Sequence, residues 1–222
     1  MQKGDFVRID YVAKLENGEM FDLTDEQLAR KENIYNPKVT YKPIPIIVGA
    51  GFVIPGLDKE LLKMGVGEKK TVEISPEEGF GNRDPNLVRV VPKKVFKDNS
   101  TEPRQGMIVD FSGMKGRIQS VASGRVRVDF NNPLAGKKLI YEVEVKEKVD
   151  EPEKKIKMVL EFFGIDKAEI RLGEDIEIET IKLPVDIKEK ISSLILENIK
   201  LEGKQPGKVK FIETYEKKES KA

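Results

Sequence analysis

The chain has 222 residues, and its 40 basic residues almost balance its 39 acidic ones. This balance argues against nucleic-acid binding, because a nucleic-acid binder usually carries a basic excess. The absence of Cys and His excludes disulfides, thiolate chemistry and Ser-His-Asp catalysis, and it removes the usual ligands of zinc. We therefore expect a protein that needs no metal and no cofactor.

No apolar run approaches the ~20 residues that a membrane-spanning helix needs, and the first residues lack a signal-peptide pattern. We therefore expect a cytoplasmic protein with no membrane partner. The many Lys and Glu residues, with few Gln, indicate a heat-adapted source.

The first part of the chain carries strand and turn signals. Apolar residues, among them Phe6, Ile9 and Tyr11, stand among polar ones between 6 and 15, and Asn17-Gly18 then predicts a hairpin. In chain order the patterns predict strands at 6–15, 20–22, 44–48 and 68–74, and a helix at 57–64. The polar stretch 24–41 predicts an insertion or a long loop.

The middle of the chain, 84–133, has Pro and Gly turns between short alternating runs at 87–91, 107–111, 117–121 and 125–130. Such runs are typical of a small antiparallel β unit. A further alternating run at 138–145 predicts a strand that closes the first sheet.

A charged linker at 150–153 precedes a change of pattern. The rest of the chain predicts a helix closed by Gly164, strands at 168–172 and 175–183, a helix at 186–200 and a final strand at 208–215. Asp186 with Glu189 resembles a capping box at the start of the second helix. That helix carries an apolar stripe of Ile187, Ile191, Leu194, Ile195 and Ile199. The stripe could pack internally or form a homodimer interface, and we favour the dimer.

Several short motifs stand in a fixed order along residues 1–85, and the pattern resumes at 133–147. They are Ile9-Asp10-Tyr11-Val12, Phe21-Asp22, Val53-Ile54-Pro55-Gly56-Leu57 and Gly79-Phe80-Gly81. Together they resemble the FKBP-type peptidyl-prolyl cis–trans isomerases. Residues 81–96 and the stretch Asn132-Pro133-Leu134-Ala135-Gly136-Lys137 narrow the resemblance to the SlyD-like branch, in its long archaeal type.

The resemblance implies an α+β fold, with an FKBP-like antiparallel half-barrel sheet wrapped on a short helix. It implies an isomerase domain at 1–85 and 131–150, an inserted small β domain at 86–130 with chaperone activity, and a C-terminal α+β domain at 153–222. The implied partners are unfolded or partly folded polypeptides that contain proline.

The resemblance also assigns a proline pocket, lined by Tyr11, Phe21, Val53, Ile54, Leu57, Phe80 and Tyr141. Asp22 would place a carboxylate near the amide that is twisted, and the Ile54 N–H would donate to a substrate carbonyl. Leu57 stands where the best-known members have Trp, and Phe80 where many have Tyr, so tight macrolide binding is more in doubt than isomerisation. Taken singly, each apolar residue would be interpreted as core and Asp22 as a turn residue.

In the insert, the candidates for an exposed apolar surface that binds clients are Phe96, Met107, Val109, Phe111, Met114 and Ile118. Met suits varied partners because its side chain is adaptable. The alternative is that half of these residues form the insert's own core, since strand alternation leaves only one face free.

Two alternatives to an isomerase with chaperone activity stay open from the sequence. One is an FKBP-like module that holds clients without catalysis. The other is a structural, oligomeric protein built on the C-terminal domain. The complete set of pocket residues favours the enzyme.

Overall fold

The computed structural model describes residues 1–98, 102–111 and 113–213, with the backbone alone for 97 and 98. The chain forms two compact units, one made of residues 1–73 together with the chain from 140 onward, and the other made of 74–139. The three-domain division that the sequence suggests remains a prediction.

The first unit begins with the hairpin and the short helices that the sequence signals. Its elements are β1 (Phe6–Leu15), β2 (Met20–Leu23), α1 (Glu26–Lys31), β3 (Ile44–Ile47), α2 (Pro55–Leu61) and β4 (Lys69–Ile74). Gly18 has a φ of 86° in the turn between β1 and β2, a conformation that glycine adopts without steric cost.

The second unit is a small sheet with one helix. After two short 3₁₀ helices (Pro76–Glu78 and Pro85–Leu87), it contains β5 (Val88–Pro92), α3 (Lys93–Asp98), β6 (Ile108–Phe111), β7 (Met114–Ala122) and β8 (Arg125–Asp129). The strand order is β5-β8-β7-β6, and each neighbouring pair is antiparallel. The predicted antiparallel β unit is therefore confirmed.

The chain returns to the first unit through β9 (Leu139–Val149) and continues with α4 (Pro152–Phe162), β10 (Ala168–Leu172), β11 (Ile176–Thr180), α5 (Val185–Asn198) and β12 (Val209–Ile212). The first sheet has the order β2-β1-β9-β4, with β3 paired to β1. A second sheet has the order β10-β11-β12, in which β11 and β12 are parallel. The predicted α+β class, with antiparallel sheets and few helices, is confirmed.

The C-terminal extension, defined here as residues from 150 onward, shares a core with the start of the first sheet. Phe6 on β1 faces Ile47 on β3, and both side chains are buried in one cluster with residues of α4 and α5. Phe6 and Ile9 are three positions apart on β1 and therefore lie on opposite faces, and the extension covers the face of Phe6. The members contributed by the two helices are Ile156, Met158, Val159, Leu160, Ile191 and Ile195.

Three sequence-based details differ from the structure. The stretch 24–41 contains α1, whose N-cap is Asp25, and the Asp25 carboxylate accepts from the Leu28 N–H. The capping box at Asp186 is wrong, because α5 begins one residue earlier with Pro184 as N-cap and no side-chain cap. The last strand ends at Ile212, and residues 214 and 215 of the predicted strand lie outside the described residues.

The apolar stripe of α5 faces inward. Ile191, Ile195 and Ile199 are fully buried, and Ile187 and Leu194 pack against the same cluster. The stripe therefore stabilises the unit itself, and any dimer interface would have to use other residues.

Within the described parts of the chain, no helix combines the length and the apolar character that crossing a membrane requires.

Candidate active site

Neighbouring strands bring four of the predicted pocket residues into one region of the first unit. Tyr11 lies on β1, Phe21 and Asp22 on β2, and Tyr141 on β9, and β1 is the strand between the other two. Asp22 is opposite Ala13 in the β1–β2 ladder, and the Thr24 N–H donates to the Tyr11 carbonyl at 3.0 Å. Side chains at alternate positions of β1 share a face, so the register places Asp22 beside Tyr11.

The aromatic rings of this region contact one another. The ring centroids of Tyr11 and Tyr141 are 5.7 Å apart, and those of Phe21 and Tyr141 are 6.2 Å apart in an edge-to-face arrangement. Both separations lie within the range that aromatic pairs prefer. Tyr141 is buried, while Tyr11 and Phe21 are half-buried, so the group forms a wall with one side open.

A carboxylate stands at the edge of this aromatic wall. The Tyr11 hydroxyl donates to Oδ2 of Asp22 at 2.8 Å, and Asp22 is exposed. Burial, and after it the Asp22 carboxylate, raises the pKa of the Tyr11 phenol far above its usual value. Burial and the same carboxylate raise the pKa of Tyr141 to about 12. Both phenols are therefore neutral at pH 7, and Asp22 is held by a neutral donor.

The loop between β3 and α2, residues 48–54, carries the next two predicted residues. Val53 and Ile54 are half-buried, and Ile54 is the N-cap of α2, with φ −59° and ψ 148°. The extended ψ follows from Pro55, whose ring disfavours the helical conformation in the residue before it. In the described part of the chain the Ile54 N–H has no acceptor, so it is available to a ligand. Leu57, on the first turn of α2, is fully buried.

Phe80 belongs to the second compact unit. It lies between Gly79 and Gly81, where the Gly81 N–H donates to the Pro76 carbonyl at 2.7 Å and closes a tight turn. Gly81 has a φ of 78°, which favours glycine at that position. The assignment of Phe80 to the pocket stays a prediction from the sequence.

The insert candidates divide into core and surface. Phe96 and Ile118 are buried with Val126 and Val128, and the ring of Phe111 meets that of Phe96 edge-to-face at 5.5 Å. The prediction that Phe96 and Ile118 are exposed is therefore wrong, because a four-stranded sheet with one helix needs its own core. Val109 and Phe111 are half-buried against the same core. Of the six candidates, Met107 and Met114 are exposed, at 40% and 45% of their surface.

Two more apolar residues of the insert are exposed and were not among the sequence-based candidates. Ile108 and Val90 are 65% and 61% exposed. Both lie on the face of the sheet opposite the core, where Ile108 is opposite Arg117 and Val90 is opposite Arg127. Strict alternation from the half-buried positions Val109 and Val91 could have found them, since successive side chains of a strand point to opposite faces.

Comparison with known proteins explains this arrangement. The sequence profile of the FKBP-type peptidyl-prolyl cis-trans isomerases matches residues 1–146. The chain belongs to this family. It is a peptidyl-prolyl cis–trans isomerase, and the alternative of a non-catalytic module is set aside.

Individual relatives of this FKBP-type isomerase place it in the SlyD-like group. The chain is 40% identical to a short-type peptidyl-prolyl cis-trans isomerase of Methanocaldococcus jannaschii over 147 residues, which are 66% of this chain and 93% of that protein. It is 31% identical to the isomerase SlyD of Helicobacter pylori over 118 residues, 51% of this chain and 63% of that protein. The FKBP-type 16 kDa isomerase of Escherichia coli is 33% identical over 111 residues, 48% of this chain and 74% of that protein.

An FKBP-type isomerase needs only non-covalent contacts for its reaction. Rotation about an X–Pro bond breaks no covalent bond, and its barrier of roughly 18–20 kcal/mol comes from the partial double-bond character of the C–N bond. A pocket that binds the twisted amide better than the planar one lowers this barrier. Among the described residues, no group of three or more His, Cys, Asp or Glu side chains is arranged to hold a metal ion.

Proposed function

We propose that this isomerase accelerates X–Pro rotation in unfolded or partly folded proteins by binding proline against the aromatic wall of Tyr11, Phe21 and Tyr141. The observation that carries the proposal is the meeting of these three rings with Asp22 at the open edge. Val53, Ile54 and Leu57 complete the pocket on the side of α2, and Phe80 is kept as a pocket residue only because the sequence resembles the family at that position.

The mechanism follows from the polarity of the amide. Water stabilises the charge-separated resonance form that stiffens the C–N bond, so an apolar pocket favours the twisted, less polar form. The exposed Asp22 carboxylate lies at the edge of the pocket, near the amide that twists. The free N–H of Ile54 donates to a substrate carbonyl and holds one side of the bond while the other rotates.

We also propose that the insert gives the enzyme chaperone activity by holding unfolded chains. Support comes from the exposed Met107, Ile108 and Met114 of the second unit, and from the names of the SlyD relatives. Exposed arginines flank these apolar residues, and Arg117 is directly opposite Ile108 in the ladder. An apolar surface with basic neighbours suits unfolded segments that mix apolar and acidic residues.

Refolding of a protein that is limited by trans-to-cis prolyl isomerisation tests the catalytic part. Catalytic amounts of the wild type accelerate the slow phase, and Phe21→Ala loses most of that effect. Tyr41→Ala is the matched control, because Tyr41 is an aromatic residue of the same unit and its ring stacks on that of Tyr35, which is not one of the three wall residues. Full activity in Phe21→Ala would show that the pocket has been assigned to the wrong place.

Suppression of aggregation of an unfolded client tests the chaperone part. The double variant Ile108→Ser, Met114→Ser loses suppression but isomerises a short proline peptide at the wild-type rate. Val185→Ser, which changes an apolar residue that is 70% exposed in the other unit, keeps both activities. Unchanged suppression in the double variant rejects these two exposed residues of the insert as the client surface.

Homodimerisation through the C-terminal extension remains part of the proposal. Because the α5 stripe is internal, such an interface would use exposed apolar residues of the extension such as Ile181 and Val185. We keep a cytoplasmic location, and the absence of nucleic-acid and membrane partners, as predictions.

A further inference from the structure

A ring of the pocket loop contacts a ring of the C-terminal extension. Phe52, the residue before Val53, has its ring centroid 4.2 Å from that of Phe162, at an interplanar angle of 47°. Phe162 is the last residue of α4, and its ring in turn contacts that of Phe163 at 5.5 Å. The loop that leads into α2 is therefore in contact with a helix that lies outside the matched family region, which ends at residue 146.

Hydrogen bonds hold both ends of this loop, among them those from the Val48 N–H to the Asp5 carbonyl at 2.9 Å and from the Ala50 N–H to the Ile47 carbonyl at 3.2 Å. At its start, the Gly49 N–H donates to Oδ1 of Asp58 at 2.8 Å, and at its end the Ile54 carbonyl accepts from the Asp58 N–H at 3.1 Å. Gly49 and Gly51 both have positive φ, at 77° and 73°, and glycines leave a backbone free to change conformation. Between these attachments, the side chain of Phe52 packs against the core cluster that contains Ile191 and Ile195.

The packing of Phe52 is open on one side. A groove of 460 Å³ is bordered by Gly51, Phe52, Phe162, Phe163 and Leu194. The Phe162 side chain is 44% exposed, so its truncation removes little buried apolar surface from the core. Phe52 would lose its aromatic partner and could move into the groove.

We propose that Phe162 is a positioning residue of the isomerase: through Phe52 it holds Val53 and the Ile54 N–H in place, and the C-terminal extension thereby sets catalytic efficiency. The inference rests on the proposed function, which assigns Val53 and Ile54 to the pocket. Small displacements of a binding group lower the rate strongly, because the twisted amide is recognised by geometry. No bond or proton is moved by Phe162 itself.

Isomerisation of a short proline peptide by the full chain tests the inference. Such a peptide does not depend on the insert for binding, so the assay reports on the pocket alone. We expect Phe162→Ala and Phe52→Ala each to lower kcat/KM about twofold to tenfold, the factor that corresponds to one aromatic pair. The double variant falls no further than the single ones, because both remove the same contact. Phe162→Tyr keeps the ring and keeps kcat/KM. Leu172→Ala, which removes a side chain of equal exposure elsewhere in the extension, has no effect.

Two further measurements separate positioning from general destabilisation. The thermal unfolding midpoint of Phe162→Ala stays at the wild-type value, while the amide NMR signals of Val53 and Ile54 shift or broaden. Wild-type kcat/KM in Phe162→Ala, or equal losses in Phe162→Ala and Phe162→Tyr, overturns the inference. Phe21→Ala is measured in parallel: if it too is fully active the pocket assignment fails, whereas its inactivity beside an active Phe162→Ala rejects the positioning role alone.

Discussion

Phe6 and Ile47 face each other across β1 and β3, and both are buried beneath α4 and α5. The first sheet of this FKBP-type isomerase therefore has apolar side chains on both faces at this end. The opposite face there carries Val7 and Ile46, which are also paired and buried. Residues from 150 onward thus complete the core of the catalytic unit.

Truncation after residue 150 should destabilise the isomerase. It exposes Phe6 and Ile47 to water, and we expect the free energy of unfolding to fall by about 3–6 kcal/mol, from about 1.5–3 kcal/mol for each side chain. Urea unfolding of the full and shortened chains measures the difference. Phe6→Ser with Ile47→Ser should strongly destabilise the full chain but not the shortened one, because only the full chain buries these positions. Equal unfolding midpoints of the unsubstituted full and shortened chains would contradict the shared core.

The hydrogen bond from Tyr11 to Asp22 should matter for catalysis. We expect Asp22→Ala to lower kcat/KM about tenfold and Tyr11→Phe about threefold, since the first removes the charge and the second only its orienting donor. A peptide isomerisation assay measures both, with Tyr41→Phe as the control. A larger loss in Tyr11→Phe than in Asp22→Ala would mean that the hydroxyl acts on the substrate directly.

The buried Tyr141 phenol should make stability fall at high pH. Its pKa of about 12 in the folded protein lies above the usual value near 10, so the folded state binds the phenolic proton more tightly than the unfolded state. The resulting stabilisation is fully present below about pH 10 and is lost as the pH rises to about 12. Unfolding measured along this range should show a shallower decline in Tyr141→Phe than in the wild type. Identical slopes would indicate that Tyr141 ionises as freely as in the unfolded chain.

Glu161 on α4 should stabilise the contact between α4 and β1 at neutral pH but not at acidic pH. Arg8 donates to both carboxylate oxygens of Glu161, at 3.2 and 2.5 Å, and Lys42 lies 2.6 Å from Oε1. Burial alone would raise the pKa of Glu161, but the hydrogen bonds from Arg8 and Lys42 outweigh it and hold the pKa below its usual value. A lowered pKa stabilises the folded state above the unfolded value of about 4.3, and this contribution is lost as the pH falls through the folded value.

We therefore expect Glu161→Gln to lower the free energy of unfolding by about 2 kcal/mol near pH 7 and by much less near pH 3. Urea unfolding at the two pH values gives the comparison. Glu153→Gln, on the same helix, removes a surface pair with Lys157 and should change stability by less than about 1 kcal/mol. The prediction fails when the cost of Glu161→Gln is the same at both pH values.

Gly116 in the insert should tolerate no side chain. A Cβ at this position would lie 2.6 Å from a methyl of Val128 and 2.7 Å from the ring of Phe130, both of which pack in or against the insert core. We expect Gly116→Ala to destabilise the second unit by about 1–3 kcal/mol through overpacking. Gly124→Ala is a poor match because its φ is positive, so Ser120→Ala on the exposed face of the same strand serves as the control. The rate of limited proteolysis within the insert measures its local stability. Equal cleavage rates of Gly116→Ala and the wild type would contradict the tight packing.

The local patterns that the sequence predicted well were those with a strong period. The strands of the insert and the 3.6-residue stripe of α5 were recognisable because one periodic face decides their burial. The Asn17-Gly18 turn was recognisable from its residue types, because glycine adopts a positive φ without steric cost. The helix α1 was missed because it has six residues and one buried side chain, Ala29, which is too little for a periodicity. Local capping by Asp25 was its only signal.

For the candidate site, the sequence predicted which residues take part but not how far apart they lie. The order of motifs allowed the sequence to name Tyr11, Phe21, Asp22 and Tyr141, because relatives with this order share a fold. Their mutual distances depend on which strands pair, since β9 lies beside β1 although about 130 residues separate Tyr11 from Tyr141 in the chain. Long-range pairing is set by the burial of whole faces, which no local pattern contains.

The sequence by itself determined the chemistry that this protein can use and the faces of its strongest elements, because residue types and periods are local properties. Only the tertiary structure decided which apolar face covers which. It turned Phe6 and the α5 stripe toward each other, buried Phe96 and Ile118 in the insert, and brought Phe162 against Phe52 beside the proposed pocket. The physical reason is that burial is a property of pairs of surfaces, and a single surface does not specify its partner.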